Sequence, residues 1–348
     1  MDIAQHLEFL AEQQAVCGAE NFCADTLIGL IPEKYKKYAR KDQLESLIIK
    51  IPGKDSSRQL MILTHYDEPG IVITGHEKGF LAFRTVGGLE ASDVAAQEVI
   101  ISDGSHTLFG VIGTRPPHIL KAEERKAPLS EENLRIDLGL TFRDSIPEWI
   151  VPGTTAVVRR KATSLAQGKI CGRALSDRWG ASLLLSLLEN IPHLESDLNI
   201  VFAAQHYNAF KGAVAAAIAE KPHIALVLDS TTAQSKETPH SPISLANGPV
   251  SYSGPAAHPF VTNALRTHAK EKNMQLQLRA SGERRFSDIW ALQTAAGGIP
   301  SALIELPVTY RASSTEIIST NDLNNAFALI SESLPLLDSM TKEGTLYA

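Results

Sequence analysis

The run LMILTHYDEPG, Leu60 to Gly70, passes within eleven residues from wholly apolar to almost wholly polar. A short continuous apolar run bounded by turn residues reads as a strand buried on both faces, the kind found inside parallel sheets. Such a strand delivers its polar residues at its carboxyl end, where open α/β sheets place ligands. His65, Asp67 and Glu68 are therefore candidates for chemistry, and the chain predicts an α/β fold.

Upstream of this run, apolar residues at helical spacing (Ile3, Leu7, Leu10, then Phe22, Leu27, Leu30) predict two helices, and Leu44 to Ile51 a strand. Downstream, from about Gly70 to about Arg160, the texture changes to short β-rich runs: GIVITG, GFLAFRTV, EVIISD, TLFGVIG and TAVVRR, separated by Gly, Pro and Asp. Residues 70–160 thus read as a small β domain inserted into a larger one formed by 1–69 and 161–348. The charged segment Lys121 to Arg135 inside it reads as a solvated loop. Beyond the insert, WGASLLLSLLENI reads as a helix, Asn199 to Gln205 as a strand, KGAVAAAIAEK as a helix and HIALVLD as a strand. A helix around Ser287 to Ala296, a strand at Ala302 to Leu306 and a helix from Asp322 to Leu337 complete the pattern. This β-α-β rhythm predicts a three-layer, doubly wound parallel sheet.

Composition narrows the function classes. With 348 residues, 44% hydrophobic and 21% charged, the chain can bury a large core and lacks the signature of disorder. Its net charge of -6, with basic residues scattered, argues against nucleic acid as a partner. No stretch reaches transmembrane length, and the first residues lack both the basic start and the apolar run of a secretion signal. Three cysteines, Cys17, Cys23 and Cys171, fit reduced thiols in a cytoplasm.

Strand ends on one sheet edge converge in space, so the polar clusters at His65–Glu68, Gln205–Tyr207, Asp229–Ser230 and Tyr310–Ser314 are expected to meet, joined by Asp177 ahead of the Leu-rich helix. His65, Asp177 and Asp229 are then an imidazole and two carboxylates suited to a metal. Each also has an ordinary reading: Asp177 as a helix cap, Asp67 and Asp229 as turn residues. The dyad His65-x-Asp67 adds weight, since a ligating imidazole usually gives its second N–H to a carboxylate. His118, His193, His240, His258 and His268 lie away from these strand ends and are assigned no role.

Over nearly its whole length the sequence resembles the tetrahedral, or glutamyl, aminopeptidases, a zinc-aminopeptidase-type family also labelled endoglucanase M. THYDEPG resembles the family's His-x-Asp-Glu-x-Gly box, and TVGGLEASDVAAQEVII and GVIGTRPPHIL resemble its insert. GRALSDRWGASLL resembles the box with the metal-bridging Asp, FKGAVAAA the segment after its paired glutamates, and LPVTYRASSTEIIS its Pro-Thr-Arg-Tyr-x-His-Ser box. The resemblance implies hydrolysis of N-terminal residues from short peptides by two divalent metals. His65 and Asp229 would hold the first metal, Asp177 would bridge both, Asp67 would orient His65, and Asp288 would lie near the substrate.

Departures from the family pattern are concentrated at the same place. His206 and Tyr207 stand where the family has its base and a metal-binding glutamate, Ala312 where it has a histidine, and Thr309 where it has an arginine. The resemblance then implies one divalent metal (zinc, or cobalt or manganese) on His65, Asp177 and Asp229, with the second position empty. Two functions follow. One is a one-metal hydrolase with His206 as replacement base and Tyr207 as an oxyanion donor. The other is an inactive, peptide-binding or structural subunit. The family also implies an insert that pairs subunits, and oligomers from dimer to dodecamer.

Overall fold

The computed structural model describes residues 2–120, 123, 128–140, 145–282 and 286–342. Part of the charged segment Lys121 to Arg135 lies outside the described residues, as do Arg284 and Arg285. The first helix, Ile3–Glu12, starts where Asp2 and Gln5 form a reciprocal capping box, and it buries Ile3, Leu7 and Leu10.

Three strands open the sheet: β1 (Ala39–Lys41), β2 (Leu47–Ile51) and β3 (Asp55–His65). The insert follows with β4 (Gly70–Glu77), β5 (Phe80–Val86), β6 (Glu98–Ser102), β7 (Thr107–Gly113), β8 (Arg135–Asp137) and β9 (Thr155–Val158). After it come β10 (Thr163–Leu165), β11 (Lys169–Gly172), β12 (Ser196–Ala203), β13 (Ile224–Thr232), β14 (Val250–Ser253), β15 (Gln277–Ala280), β16 (Ser301–Val308) and β17 (Glu316–Ser319). The large sheet has the order β1-β2-β12-β3-β13-β16-β14-β15, and β4 to β9 close a separate barrel in the order β4-β5-β8-β7-β6-β9.

The expected parallel sheet is mixed: β12, β3, β13 and β16 run parallel at its centre, β2 runs antiparallel to β12, and β14, parallel to its edge neighbour β15, runs antiparallel to β16. For β2 the reason is chain length: residues 52–54 alone link it to β3, too few for the crossover that parallel strands require. Period-two alternation sorts the central strands between two layers. Leu60 and Ile62 pack with helices Ile3–Glu12, Leu175–Leu187, Pro259–Glu271 and Thr320–Met340. Met61 and Leu63 pack with helices Lys211–Glu220 and Asp288–Leu292 on the other face. The barrel keeps its own core around Ile73, Phe83, Ile101 and Ile136.

One contact ties the Leu175–Leu187 helix to the end of β3. A Cβ added at Gly180 would sit 2.1 Å from Thr64 Oγ1 and 2.7 Å from Thr64 Cβ, so only glycine lets helix and strand approach this closely. Overpacking of this kind typically costs about 1–3 kcal/mol. Gly180→Ala is therefore expected to lower the unfolding free energy by that amount, read as a lower midpoint in urea, and an unchanged midpoint would mean that Thr64 yields without strain.

Candidate active site

The carboxyl ends of the central strands carry the polar side chains. His65 ends β3 and lies in register with Ala203, the last residue of β12, so the chain beyond Ala203 places His206 and Tyr207 beside it. Asp229 lies within β13, opposite Glu305 of β16. Asp177 sits in the first turn of its helix. The turns that aim these residues hold non-glycine residues at positive φ: Ala174 at 54°, Gln205 at 56°, Tyr310 at 54° and Ala312 at 65°. Backbone of this kind costs of order 1–3 kcal/mol per residue and concentrates where side-chain direction matters.

Asp67 holds the loop from β12. Its Oδ1 accepts the backbone N–H of His206 at 3.0 Å and its Oδ2 that of Tyr207 at 3.2 Å. His65 Nδ1 lies 3.3 Å from the carbonyl of Asp67 and 3.7 Å from its Oδ1, so the imidazole meets the backbone of Asp67 more closely than its carboxylate. The His65 and His206 rings stack with centroids 3.8 Å apart. His206 Nδ1 lies 2.7 Å from Asp288 Oδ2, both side chains being fully buried, and Phe210 and Phe286 press on the His206 ring. Burial opposes the charge on His206, but Asp288 outweighs it, with smaller help from Asp229 and Asp67, and raises the pKa to about 9. Pairing with Asp288 therefore favours the imidazolium form.

Tyr207 donates its hydroxyl to Asp177 Oδ1 at 2.7 Å. Burial, reinforced by Asp177, pushes its ionisation well above the ordinary phenol range, so it stays a neutral donor. Asp229 Oδ1 accepts the N–H of Ser230 at 2.6 Å and faces Arg311 Nη2 at 3.8 Å, while Arg311 Nε donates to Ser230 Oγ at 2.8 Å. Glu316 closes the floor, accepting from Ser176 Oγ at 2.7 Å, Ser176 N at 2.8 Å and Ala312 N at 2.8 Å. Burial, then the nearby Asp177, raises its pKa to about 7.

Sequence reasoning passed over a buried ionic cluster next to this site. Glu68 binds Arg178 at 2.8 Å through one oxygen and Arg173 through the other. Arg178 also donates to the carbonyls of Tyr66 and Leu10. The available signal was two arginines in an apolar setting, GRALSDRWG. Cys17 and Glu20 also went unnoticed. Their ligand atoms lie within 4.8 Å of each other and of Asp67, the one such His, Cys, Asp or Glu trio among the described residues. The acids of that trio are already engaged by backbone N–H groups, Glu20 by Gly18 and Gln205, Asp67 by His206 and Tyr207.

All seven sequence-predicted residues occupy one region, linked by these contacts. As placed, His65, Asp177 and Asp229 do not form a trio with ligand atoms inside 4.8 Å of one another. The donor set also fits a divalent ion poorly, because Tyr207 occupies one oxygen of Asp177 and Arg311 faces Asp229. A carboxylate must be ionised to bind a cation, and each oxygen already engaged leaves fewer lone pairs for one.

An α/β sheet with acids and imidazoles at the carboxyl ends of its parallel strands, interrupted by a closed antiparallel barrel, defines an aminopeptidase-type fold. Residues 45–329 match the family model for M42 glutamyl aminopeptidase, and the chain belongs to that family of metal-dependent aminopeptidases. It is similar to an aminopeptidase of the archaeon Desulfurococcus kamchatkensis, with 27% identity, 98% of each chain covered and a TM-score of 0.86. A lysyl aminopeptidase of Pyrococcus furiosus is 24% identical over 95% of this chain and 96% of its own. The Pyrococcus horikoshii TET1 peptidase, which assembles into a tetrahedron or a large octahedral shell, shares the fold at 24% identity, covering 95% of this chain and 98% of its own, with a TM-score of 0.83. No helix among the described residues is long and apolar enough to cross a membrane.

Proposed function

We propose that this chain is a family member that has given up metal-dependent peptide hydrolysis and serves as a peptide-binding subunit of an oligomer. The observation that carries this reading is the engagement of the two residues standing in for the paired glutamates. His206 is locked to Asp288, and Tyr207 is spent on Asp177. The place of the family's base is held by an imidazole bound to a buried carboxylate and that of its metal-binding glutamate by a phenol bound to Asp177, and loss of a general base typically costs about 100- to 10,000-fold.

A narrow cleft opens beside these residues, walled by Glu68, Arg173, Asp177, Ala312, Ser314 and Glu316, with a cavity volume of about 20 Å³, room for about one water-sized group. Asp177 and Glu316 on its wall suit the ammonium end of a peptide. Assembly is supported by the barrel, where β7 turns Phe109 and Val111 outward, 54% and 47% exposed. The competing reading, a one-metal hydrolase on His65, Asp177 and Asp229, is favoured only by the presence of all three side chains in this region.

Aminoacyl-nitroanilides assayed with added zinc, cobalt or manganese separate the two. The proposed function expects silence across the panel, together with micromolar to millimolar binding of unlabelled dipeptides in calorimetry. Hydrolysis that disappears with chelator and in Asp177→Ala would overturn it.

A further inference from the structure

We infer that the Arg311 guanidinium takes the place of the metal cation, holding Asp229 and its neighbouring acids together without a divalent ion. This deepens the proposed function and rests on it. The geometry comes first. Arg311 Nη2 is 3.8 Å from Asp229 Oδ1, its Nε donates to Ser230 Oγ at 2.8 Å, and its side chain keeps only 24% of its surface exposed. The acids around it are buried: Asp229 is 1% exposed, Asp177 3% and Glu316 1%. Carboxylates crowded together out of water cannot all ionise without a positive charge among them.

A fixed side-chain cation supplies that charge here. Arginine suits the task because its fork is planar, permanently charged and less strongly hydrated than an ammonium. Burial opposes the charge on Arg311, but Asp229, with Tyr207, Asp177 and Glu316 behind it, holds the proton more firmly than in water.

The backbone is shaped to present this residue. Arg311 stands between Tyr310 and Ala312, both at positive φ, and the N–H of Ala312 is fastened to Glu316 Oε1. In plain extended backbone continuing β16, successive side chains would point to opposite faces, with no reason for one to turn across the strand ends. Positive φ on either side of Arg311 turns the chain, and Arg311 comes to lie over Ser230 and Asp229. Tyr207 completes the substitution by donating to Asp177. A charge-neutral phenol and a monovalent guanidinium thus take up contacts that a divalent ion would otherwise make. Metal affinity and the Arg311 contact are then mutually exclusive.

The test compares the full-length wild type with Arg311→Met, a replacement of similar length without charge. For the wild type, elemental analysis after dialysis against zinc is expected to find well under one equivalent, and its melting temperature should not respond to zinc or to chelator. One tightly held equivalent removable by chelator would overturn the inference. Arg311→Met is expected to bind zinc about 100-fold more tightly than the wild type and to gain several degrees of melting temperature when zinc is added. Zinc behaviour identical to the wild type overturns it. Should Arg311→Met fold neither with nor without zinc, Arg311→Lys decides: it keeps the charge and is expected to fold and ignore zinc, and a gain of zinc binding there sinks the idea. The two readings fail separately. Metal bound without hydrolysis removes the arginine inference and leaves the non-peptidase one, whereas hydrolysis by metal-free protein does the reverse.

Discussion

Replacing Glu68 with alanine is expected to cost about 3–5 kcal/mol of folding stability, the usual penalty for breaking a buried pair and leaving charge uncompensated. Glu68 is fully buried, and its carboxylate pairs with both Arg173 and Arg178, which are 8% and 0% exposed in their side chains. Removing it strands two cations side by side. Burial and the neighbouring Arg178 already disfavour the charge on Arg173. The backbone also suffers, since Glu68 Oε1 accepts the N–H of Ala15 at 3.0 Å and so anchors the segment after the first helix. A melting temperature lowered by about 10 °C is the expected reading, measured beside Glu68→Gln, which keeps the shape and part of the hydrogen bonding but not the charge. If both variants melt within a degree or two of the wild type, the cluster is decoration rather than a strut between the first helix, β3 and the Leu175–Leu187 helix.

The second large effect concerns Asp288. Its partner His206 has a pKa raised from 6.5 to about 9. A basic group whose folded pKa is raised contributes stability that is fully present below its unfolded value and is lost as pH rises through the folded one. Here the window runs from about pH 6.5 to about pH 9 and is worth about 3 kcal/mol, at 1.36 kcal/mol per unit. Asp288→Asn keeps the volume and removes the charge. The expected result is a wild-type advantage of about 3 kcal/mol at pH 6 that shrinks steadily and is largely gone by pH 10, read from urea unfolding at a series of pH values. An advantage that stays level across that range would mean that packing, not the imidazolium, explains the pairing.

The pairings behind both predictions show why the site was only partly legible in the sequence. LMILTHYDEPG announced a buried strand and its polar end because apolar runs and turn residues are local signals. The change to short β-rich runs after Gly70 marked five barrel strands for the same reason, although β8 and, in the large sheet, β1, β14 and β15 left no such trace. The site residues were nameable because they cluster at strand ends. Their partners were not. His206 meets Asp288 across 82 positions and Tyr207 meets Asp177 across 30, and nothing in either stretch alone selects the other. Arg311 was one more polar residue in a cluster until the turn at Tyr310 and Ala312 gave it a direction.

What the sequence determined by itself is the fold class, the family and which residues, His206, Tyr207 and Ala312 among them, follow the sheet strands, because these depend on residue identity and order along the chain. What only the tertiary structure decided is where the remaining charges went. Electrostatic pairing depends on distance through space, and the sheet brings together acids and bases that the chain keeps far apart. Arg311 lies over Ser230 and Asp229 because the turn after β16 brings it there, a placement that residue order alone does not give.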